Sequence, residues 1–431
     1  MSVINPMLAA TKIRETIKIQ SLQAAVRVMH RCDTLAQASS SPAHIERTYL
    51  SNAHAQANKI VEGWISEAQM QSWQDSVGNV WGRYASEDVE APALIIGSHL
   101  DSVVNAGRYD GILGVLLGIE LGSFLAKHRV KLPFHLDVVG FCDEEGVRFG
   151  ATLLGSKALT GKWQSAWMDL TDENGVSLSE AMTDFGLDPL KAIDAKRDPE
   201  TIIGFLEVHI EQGPLLEKRG LPVGVVTDIA GARRFECIVE GKAGHSGTVP
   251  MFLRNDALLG ASLCIQAVEE ATKRFDVLAT VGQISCEPGA VNVIPGNVNF
   301  SLDLRSAKDG VRDRALSWLM KKMRFECRRR GLNIDYIEIH SADAVACDSE
   351  WQRLLESAMR DSGVEVNSLA SGAGHDAMAM TGYTSMGMLF VRCAGGISHH
   401  PAESIMVEDV SVALEVITRA ICDKAKVELP S

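Results

Sequence analysis

Three short β-prone runs, ALIIG (93–97), FHLDVVGFC (134–142) and GFLEVHI (204–210), alternate with helical stretches such as Leu113 to Lys127. Runs this short and this apolar belong to strands covered on both faces. Strands that alternate with helices impose an α/β layer with a largely parallel sheet. A fourth run, SMGMLFV (385–391), follows a helix expected near 350–361 and resumes that pattern. Two helices precede the first strand. One, from Thr11 to about Met29, carries Ile13, Ile17, Val26 and Met29 at helical spacing; the other is capped at Ser51 or Asn52 and runs through Ile60, Val61, Trp64 and Ile65.

From about Ile229 the order changes to strand, helix, strand, strand, helix, strand. The strands are RRFECIVEG (233–241), ATVGQISC (279–286), GNVNFSLDLRS (296–306) and NIDYIEIHS (333–341). The helices fall near 255–275 and 308–329, the second with Val311, Ala315, Leu319 and Met323 in one stripe. That βαββαβ order is ferredoxin-like. The expected fold is therefore α/β, with residues 229–342 inserted as a separate domain between 1–228 and 343–431.

Composition limits the partners. A net charge of −13 lacks the concentrated Lys and Arg that a phosphate-binding face requires, so nucleic acid is excluded. No apolar run approaches the roughly 20 residues that span a bilayer, so no membrane partner is expected. The first residues lack a signal-peptide centre, and the nine cysteines are widely spaced with no C-x-x-C pair. Reduced thiols in a cytoplasmic protein are the expectation.

In an open α/β sheet, chemistry collects at the carboxyl ends of the strands. Four polar groups fall at such ends: SHLDSVVNAGRYDG (98–111), DEEGVRF (143–149), HIEQGP (209–214) and GGISHHPAE (395–403). Taken singly each is ordinary. A strand-end histidine is commonly a hydrogen-bonded structural residue, and a Glu-Glu pair is commonly a solvated turn. Their joint occurrence points to metal, because imidazoles with carboxylates suit zinc or a similar borderline divalent ion. Two ions sharing a carboxylate need about five ligands and a general base. His99, Asp110, Glu145, His209 and His399 supply the five, leaving Glu144 as the base. Asp101 suits a carboxylate that orients the His99 ring, or else a turn cap.

GSHLDS, GRYDG, DEEGVRF, LEVHIEQGP, GHSGTVPM, AVNVIPG, LDLRS, GAGHDA and GISHHPAE follow one another along nearly the whole chain. In this order they resemble the M20-type metal-dependent amidohydrolases. The branch is that of the N-carbamoyl-L-amino acid hydrolases, β-ureidopropionases and allantoate amidohydrolases. The resemblance implies a mixed-sheet metallohydrolase domain and an inserted dimerisation and lid domain. It implies two divalent ions per subunit, zinc or manganese, with cobalt or nickel also accepted by such ligands. His99, Asp110 and His209 would hold one ion, and Asp110, Glu145 and His399 the other, with Glu144 as general base. The pattern S-H-x-P-x-E selects His399 and leaves His400 at a variable position. Arg305 and Asn292 would hold a substrate carboxylate, and Gln212 would touch the substrate from the metal-bearing domain. His245 would be donated in trans within a homodimer. His375 and Asp376 would support the site, and a cis peptide would join Asp110 to Gly111.

The implied activity is hydrolysis of a ureido C–N bond in a small carboxylate-bearing substrate. Allantoate is favoured, because GHSGTVPM, RTYLS and GRYDGILGV stand nearest to sequences of that type. N-carbamoyl-L-amino acids or a β-ureido acid are the alternative. A peptidase of the wider family is more distant, as is a catalytically silent member, since neither Glu144 nor any ligand is missing. HExxH is absent, which disfavours a single-metal zincin site.

Overall fold

The computed structural model describes residues 6–429, with side chains at 18 and from 20 onward. In chain order the first strands are β1 (Gln71–Gln74), β2 (Val80–Tyr84), β3 (Ala93–His99), β4 (His135–Phe141), β5 (Ile202–Ile210) and β6 (Val223–Ile229). Then come β7 (Gly231–Glu240), β8 (Gly244–His245), β9 (Leu278–Thr280), β10 (Ile284–Glu287), β11 (Val293–Ile294), β12 (Asn297–Ser306) and β13 (Asn333–Ala342). β14 (Val345–Ala346), β15 (Ser368–Ser371) and β16 (Met386–Val391) complete the set. The chain divides into two compact units. One takes residues up to Thr227 with Cys347–Leu369 and 375 onward; the other takes Asp228–Ala346 with the short return Ala370–Gly374.

In the first unit the strand order is β1-β2-β4-β3-β5-β16-β6, and β14 and β15 also pair with β6. The centre, β4-β3-β5-β16, is parallel. β1 against β2, β2 against β4 and β6 against β16 are antiparallel, so the sheet is mixed rather than largely parallel. The helix Ile112–His128 supplies the crossover between β3 and β4 that parallel neighbours require. Both faces of the centre are covered, which explains the unbroken apolar runs. Leu94, Ile96, Leu136, Val138, Leu206 and Val208 pack with the helices of one core. On the other side Phe141 packs against Trp81 and Phe205.

The two early helices form at Pro6–Leu35 and Asn52–Glu67. Ser51 caps the second, its side chain accepting the His54 N–H at 3.1 Å. In the first, Ala25, Val28, Cys32 and Leu35 are the buried stripe; Val26 is 56% exposed, and the side chains of Ile13 and Ile17 lie outside the described residues. Of the predicted face, Met29 packs partly buried against this core while Val26 turns outward.

The second unit carries the βαββαβ order. Its sheet runs β10-β12-β7-β13 with antiparallel neighbours, backed by the helices Ala257–Arg274 and Asp309–Arg328. Ala315, Leu319 and Met323 face that core, with Val311 partly buried beside it. ATVGQISC is two strands rather than one. The Ser301 side chain accepts the Gly282 and Gln283 N–H groups, taking donors that a continuous ladder would pair. No described helix is long and apolar enough to cross a membrane.

Because β4, β3, β5 and β16 run parallel, the loops after them emerge at one edge. That edge depends on close packing at Gly97, where a Cβ would stand 1.9 Å from the Val139 carbonyl oxygen. Gly97→Ala should lower unfolding free energy by about 3 kcal/mol, since backbone cannot give way as a side chain does. Urea denaturation checks it: a midpoint within error of the parent would refute this tight apposition.

Candidate metal centre

β3 ends on His99, whose ring is buried. Its Nδ1 lies 3.1 Å from the Asp101 carbonyl oxygen and 3.4 Å from Asp101 Oδ1, which directs Nε2 toward Asp110. The Asp101 carboxylate accepts the N–H groups of Glu144 and Glu145 at 3.0 and 3.1 Å. One buried acid thus orients an imidazole and shapes the DEE turn that follows β4. That turn begins at Asp143 with φ 51°, a left-handed conformation that non-glycine residues seldom adopt.

Asp110 sits at the centre. Its Oδ1 is 3.4 Å from His99 Nε2 and 3.1 Å from His209 Nε2; its Oδ2 is 3.2 Å from His399 Nε2. His399 Nε2 also lies 3.4 Å from Glu145 Oε1. His209, at the end of β5, places Nδ1 2.9 Å from the Ile210 carbonyl oxygen. The expected cis bond between Asp110 and Gly111 is not found; among the described residues the one cis peptide is Glu287–Pro288. Gly111 instead makes a γ-turn at φ 69°, ψ −54°, closed by the Ile112 N–H on the Asp110 carbonyl at 2.8 Å. A Cβ at Gly111 would stand 2.5 Å from the His99 ring.

His399 and His400 separate cleanly. His399 joins the cluster at φ 53°, whereas exposed His400 turns Nδ1 to accept the Ala402 N–H at 3.1 Å. Gln212 Nε2 donates to Asp110 Oδ2 at 2.8 Å and reaches Ser398 Oγ at 3.1 Å and His399 Nε2 at 3.3 Å. His375 is buried behind His209, ring centroids 4.5 Å apart in an edge-to-face contact, and burial together with the His209 charge holds it well below the usual imidazole range. Asp376 is buried nearby.

The sequence reading passed over three side chains. Glu207 accepts Ser98 Oγ–H at 2.7 Å and the Ala377 N–H at 2.8 Å, tying β3, β5 and the HDA turn together. Ser398 Oγ donates to Asp110 Oδ2 at 2.8 Å. Glu403 accepts the main-chain N–H groups of Tyr109 and Asp110. Ser398 and Glu403 stand in the S-H-x-P-x-E stretch itself, but nothing local in the sequence shows that their partners lie almost three hundred residues earlier.

His99, Asp110 and His209 offer ligand atoms within 4.8 Å of one another, and so do Asp110, Glu145 and His399 and also His99, Glu144 and Glu145. The donor set of neutral nitrogens and carboxylate oxygens fits a borderline divalent ion. The charge balance fits it too. Burial pushes the Asp110 carboxyl up, but His209, His399 and His99 together hold it well below its usual range. Burial and the Asp110 charge push Glu145 up to about 7, and burial drives Glu144 well above the ordinary carboxylate range. Cations in this place would relieve that crowding of acids.

The remaining predicted residues lie in the second unit. His245 on β8 pairs with Val293 on β11, and the Ser246 N–H bonds to the Asn292 carbonyl at 3.0 Å, so His245 and Asn292 are neighbours. Both loops adjoin the end of the sheet where Asn297 is opposite Glu240. Arg305 lies at the other end, opposite Ala232, about 26 Å along β12 at roughly 3.3 Å per residue. Asn292 and Arg305 of one chain therefore do not converge on one carboxylate. Arg305 donates from Nε and one Nη to Asp303 at 2.8 and 2.9 Å, and from the other Nη to the Gly372 carbonyl at 2.7 Å. Two of the five guanidinium donors stay available for an anion.

His399→Ala should lower divalent-ion affinity tenfold or more, whereas His400→Ala should leave it within twofold; calorimetric titration with Mn²⁺ checks both, and equal losses would refute the assignment. The same titration has a predicted pH dependence. The hydrogen bond to Asp110 raises His399 to about 8, so below that pH a proton would compete with an ion for its ring. Affinity should rise as pH goes from 6.5 toward 8, and a flat profile over that range would refute this competition.

The chain is similar to known proteins along most of its length. The family described as Peptidase family M20/M25/M40 matches residues 95–423. An allantoate deiminase from Arabidopsis thaliana is 40% identical over 417 residues, covering 89% of this chain and 79% of that protein. An N-carbamoyl-L-amino-acid amidohydrolase from Pseudomonas sp. (strain NS671) is 37% identical over 382 residues, covering 88% and 92%. The crystal structure of an amidase of the hydantoinase/carbamoylase family from Burkholderia multivorans superposes with TM-score 0.87 at 30% identity, covering 94% of this chain and 98% of that one. With a family match across most of its length, and with its acids and imidazoles gathered at one sheet edge, this chain belongs to the M20/M25/M40 peptidase family and stands there among the amidohydrolases.

Proposed function

We propose that the protein hydrolyses the ureido C–N bond of a small carboxylate-bearing acid, using two divalent ions, zinc or manganese, and that allantoate is its substrate, with ammonia and carbon dioxide released. The observation that carries the reading is the division of Asp110, one oxygen toward His99 and His209 and the other toward His399. A carboxylate so divided suits a bridge between two ions. When bound, such ions polarise a carbonyl and lower the pKa of water.

The chain's own groups do the rest. Glu144 offers a carboxylate oxygen within 4.8 Å of ligand atoms of His99 and Glu145, and burial pushes its carboxyl well above the ordinary carboxylate range. It takes a proton from the attacking water and returns it to the leaving nitrogen, a role that contributes roughly 10²–10⁴ in rate. Gln212, now on Asp110 and His399, is placed to exchange those contacts for the substrate's ureido group. Arg305, held flat by Asp303, offers its remaining donors to the substrate carboxylate. Because Asn292 and His245 are far from Arg305 within one chain, the reading requires a homodimer. His245 and Asn292 of one subunit join the site that Arg305 of the other serves. A cytoplasmic location belongs to the same reading.

N-carbamoyl-L-amino acids are the second reading, favoured by the 37% identical amidohydrolase. Ammonia release from allantoate and from N-carbamoyl amino acids, measured on Mn²⁺-loaded protein, separates the two; turnover of neither would reject both.

Glu144→Gln should retain ion binding and lose at least a hundredfold in kcat, while Glu145→Gln should weaken one ion. If both variants lose the same property, the division of roles is wrong. Arg305→Ala should lower kcat/KM about a hundredfold with ion content unchanged. Mixing Glu144→Gln subunits with His245→Ala subunits should restore activity, since one site of each heterodimer is intact. No recovery after verified exchange would count against a shared site.

A further inference from the structure

We infer that Glu403 is a positioning residue: it anchors the main chain at Tyr109 and Asp110, so fixes the Asp110 carboxylate, and thereby governs ion affinity at both halves of the centre. Only the last clause rests on the two-ion reading above.

Glu403 is 4% exposed and comes from the turn just after His399, closed by its own N–H on the His400 carbonyl at 3.0 Å. Its Oε1 accepts the Tyr109 N–H at 2.7 Å and the Asp110 N–H at 3.2 Å. Its Oε2 is 3.4 Å from Ser398 Oγ, the same hydroxyl that donates to Asp110 Oδ2 at 2.8 Å. The approach is possible because residue 107 is glycine, where a Cβ would stand 2.2 Å from the Glu403 carboxyl carbon.

The device repeats one already seen. Asp101 gathers the consecutive N–H groups of Glu144 and Glu145, and Glu403 gathers those of Tyr109 and Asp110. A buried carboxylate with two main-chain donors makes strong, directional bonds that fix backbone position. Asp110 needs this more than any other ligand, because both of its oxygens have assigned partners. A small shift of its backbone misplaces both at once. In the two-ion reading Glu145 would serve one ion, whereas the Glu403 anchor, acting through Asp110, would serve both.

Two readouts test the inference. The first is amide hydrogen exchange of the peptide spanning 107–112 in metal-free protein; the second is calorimetric titration of that protein with Mn²⁺. Glu403→Ala should speed exchange in this peptide at least tenfold and weaken both ions by tenfold or more, the range typical of groups that orient ligands. Glu403→Gln keeps an oxygen to accept both N–H groups and should stay within threefold of the parent in both measurements. Should Glu403→Ala not fold, Gly107→Ala drives the intact carboxylate off its partners and should give the same two changes. Exchange unaltered in these variants overturns the anchoring. Faster exchange with unchanged affinity overturns its bearing on the ions, as does a loss in Glu403→Gln equal to that in Glu403→Ala. A parent protein that binds fewer than two ions fails the two-ion reading instead, and the exchange comparison still decides the anchor.

Discussion

Everything at the sheet edge is organised around the carboxylate of Asp110, which is 8% exposed and meets three imidazoles. An ionised carboxylate in such a place is costly unless opposite charge or donors surround it. Each neighbour answers that cost. His99 and His209 meet one oxygen, His399, Gln212 and Ser398 the other. The surrounding acids Asp101, Glu207, Asp376 and Glu403 are themselves buried, and burial pushes Glu207, Asp376 and Glu403 upward toward their neutral forms. Cations would relieve that crowding, and main-chain hydrogen bonds hold three of these acids, Asp101, Glu207 and Glu403, in place.

Backbone conformation carries part of the arrangement. Asp143, Gln212 and His399 all adopt positive φ, and Gly111 makes a γ-turn directly beside the His99 ring. Such conformations cost roughly 1–3 kcal/mol each and persist where the surrounding structure determines them. Here they turn side chains from four different loops back toward one point. The parallel centre of the sheet makes this feasible, because strands running in one direction deliver their following loops to the same edge. The stable, doubly covered strands hold the scaffold while the strained residues lie just beyond their ends.

The two units divide the chemistry. Among the described residues the first contains all three clusters of side chains that could hold an ion, and the second contains Arg305, Asn292 and His245. Within the second, Arg305 is fixed by Asp303 and by the return segment at Gly372, while His245 and Asn292 are joined at the far end of β12. The separation of Arg305 from His245 and Asn292 along β12 is the physical ground for the proposal that two subunits share each site.

Much of this was legible in the residues. The apolar runs fixed the buried strands because side chains covered on both faces leave no polar alternation, and βαββαβ order defined the inserted unit because each strand and helix there has its own period. The five side chains of the Asp110 cluster could be proposed together because imidazoles and acids at strand ends have few other reasons to recur together. Other features needed the fold. Val26 turned outward because neighbouring packing, not helix periodicity alone, chose the stripe. Ser301 broke a strand that propensity left whole. The parallel and antiparallel neighbours came from pairings across long stretches of chain. Glu403 and Ser398 reach Asp110 across nearly three hundred residues, and the opposite placement of Asn292 and Arg305 follows from β12 register. Sequence determined which chemical groups stand at strand ends, since composition and period are local; tertiary structure decided which of them share a hydrogen bond, since that depends on distances no local pattern contains.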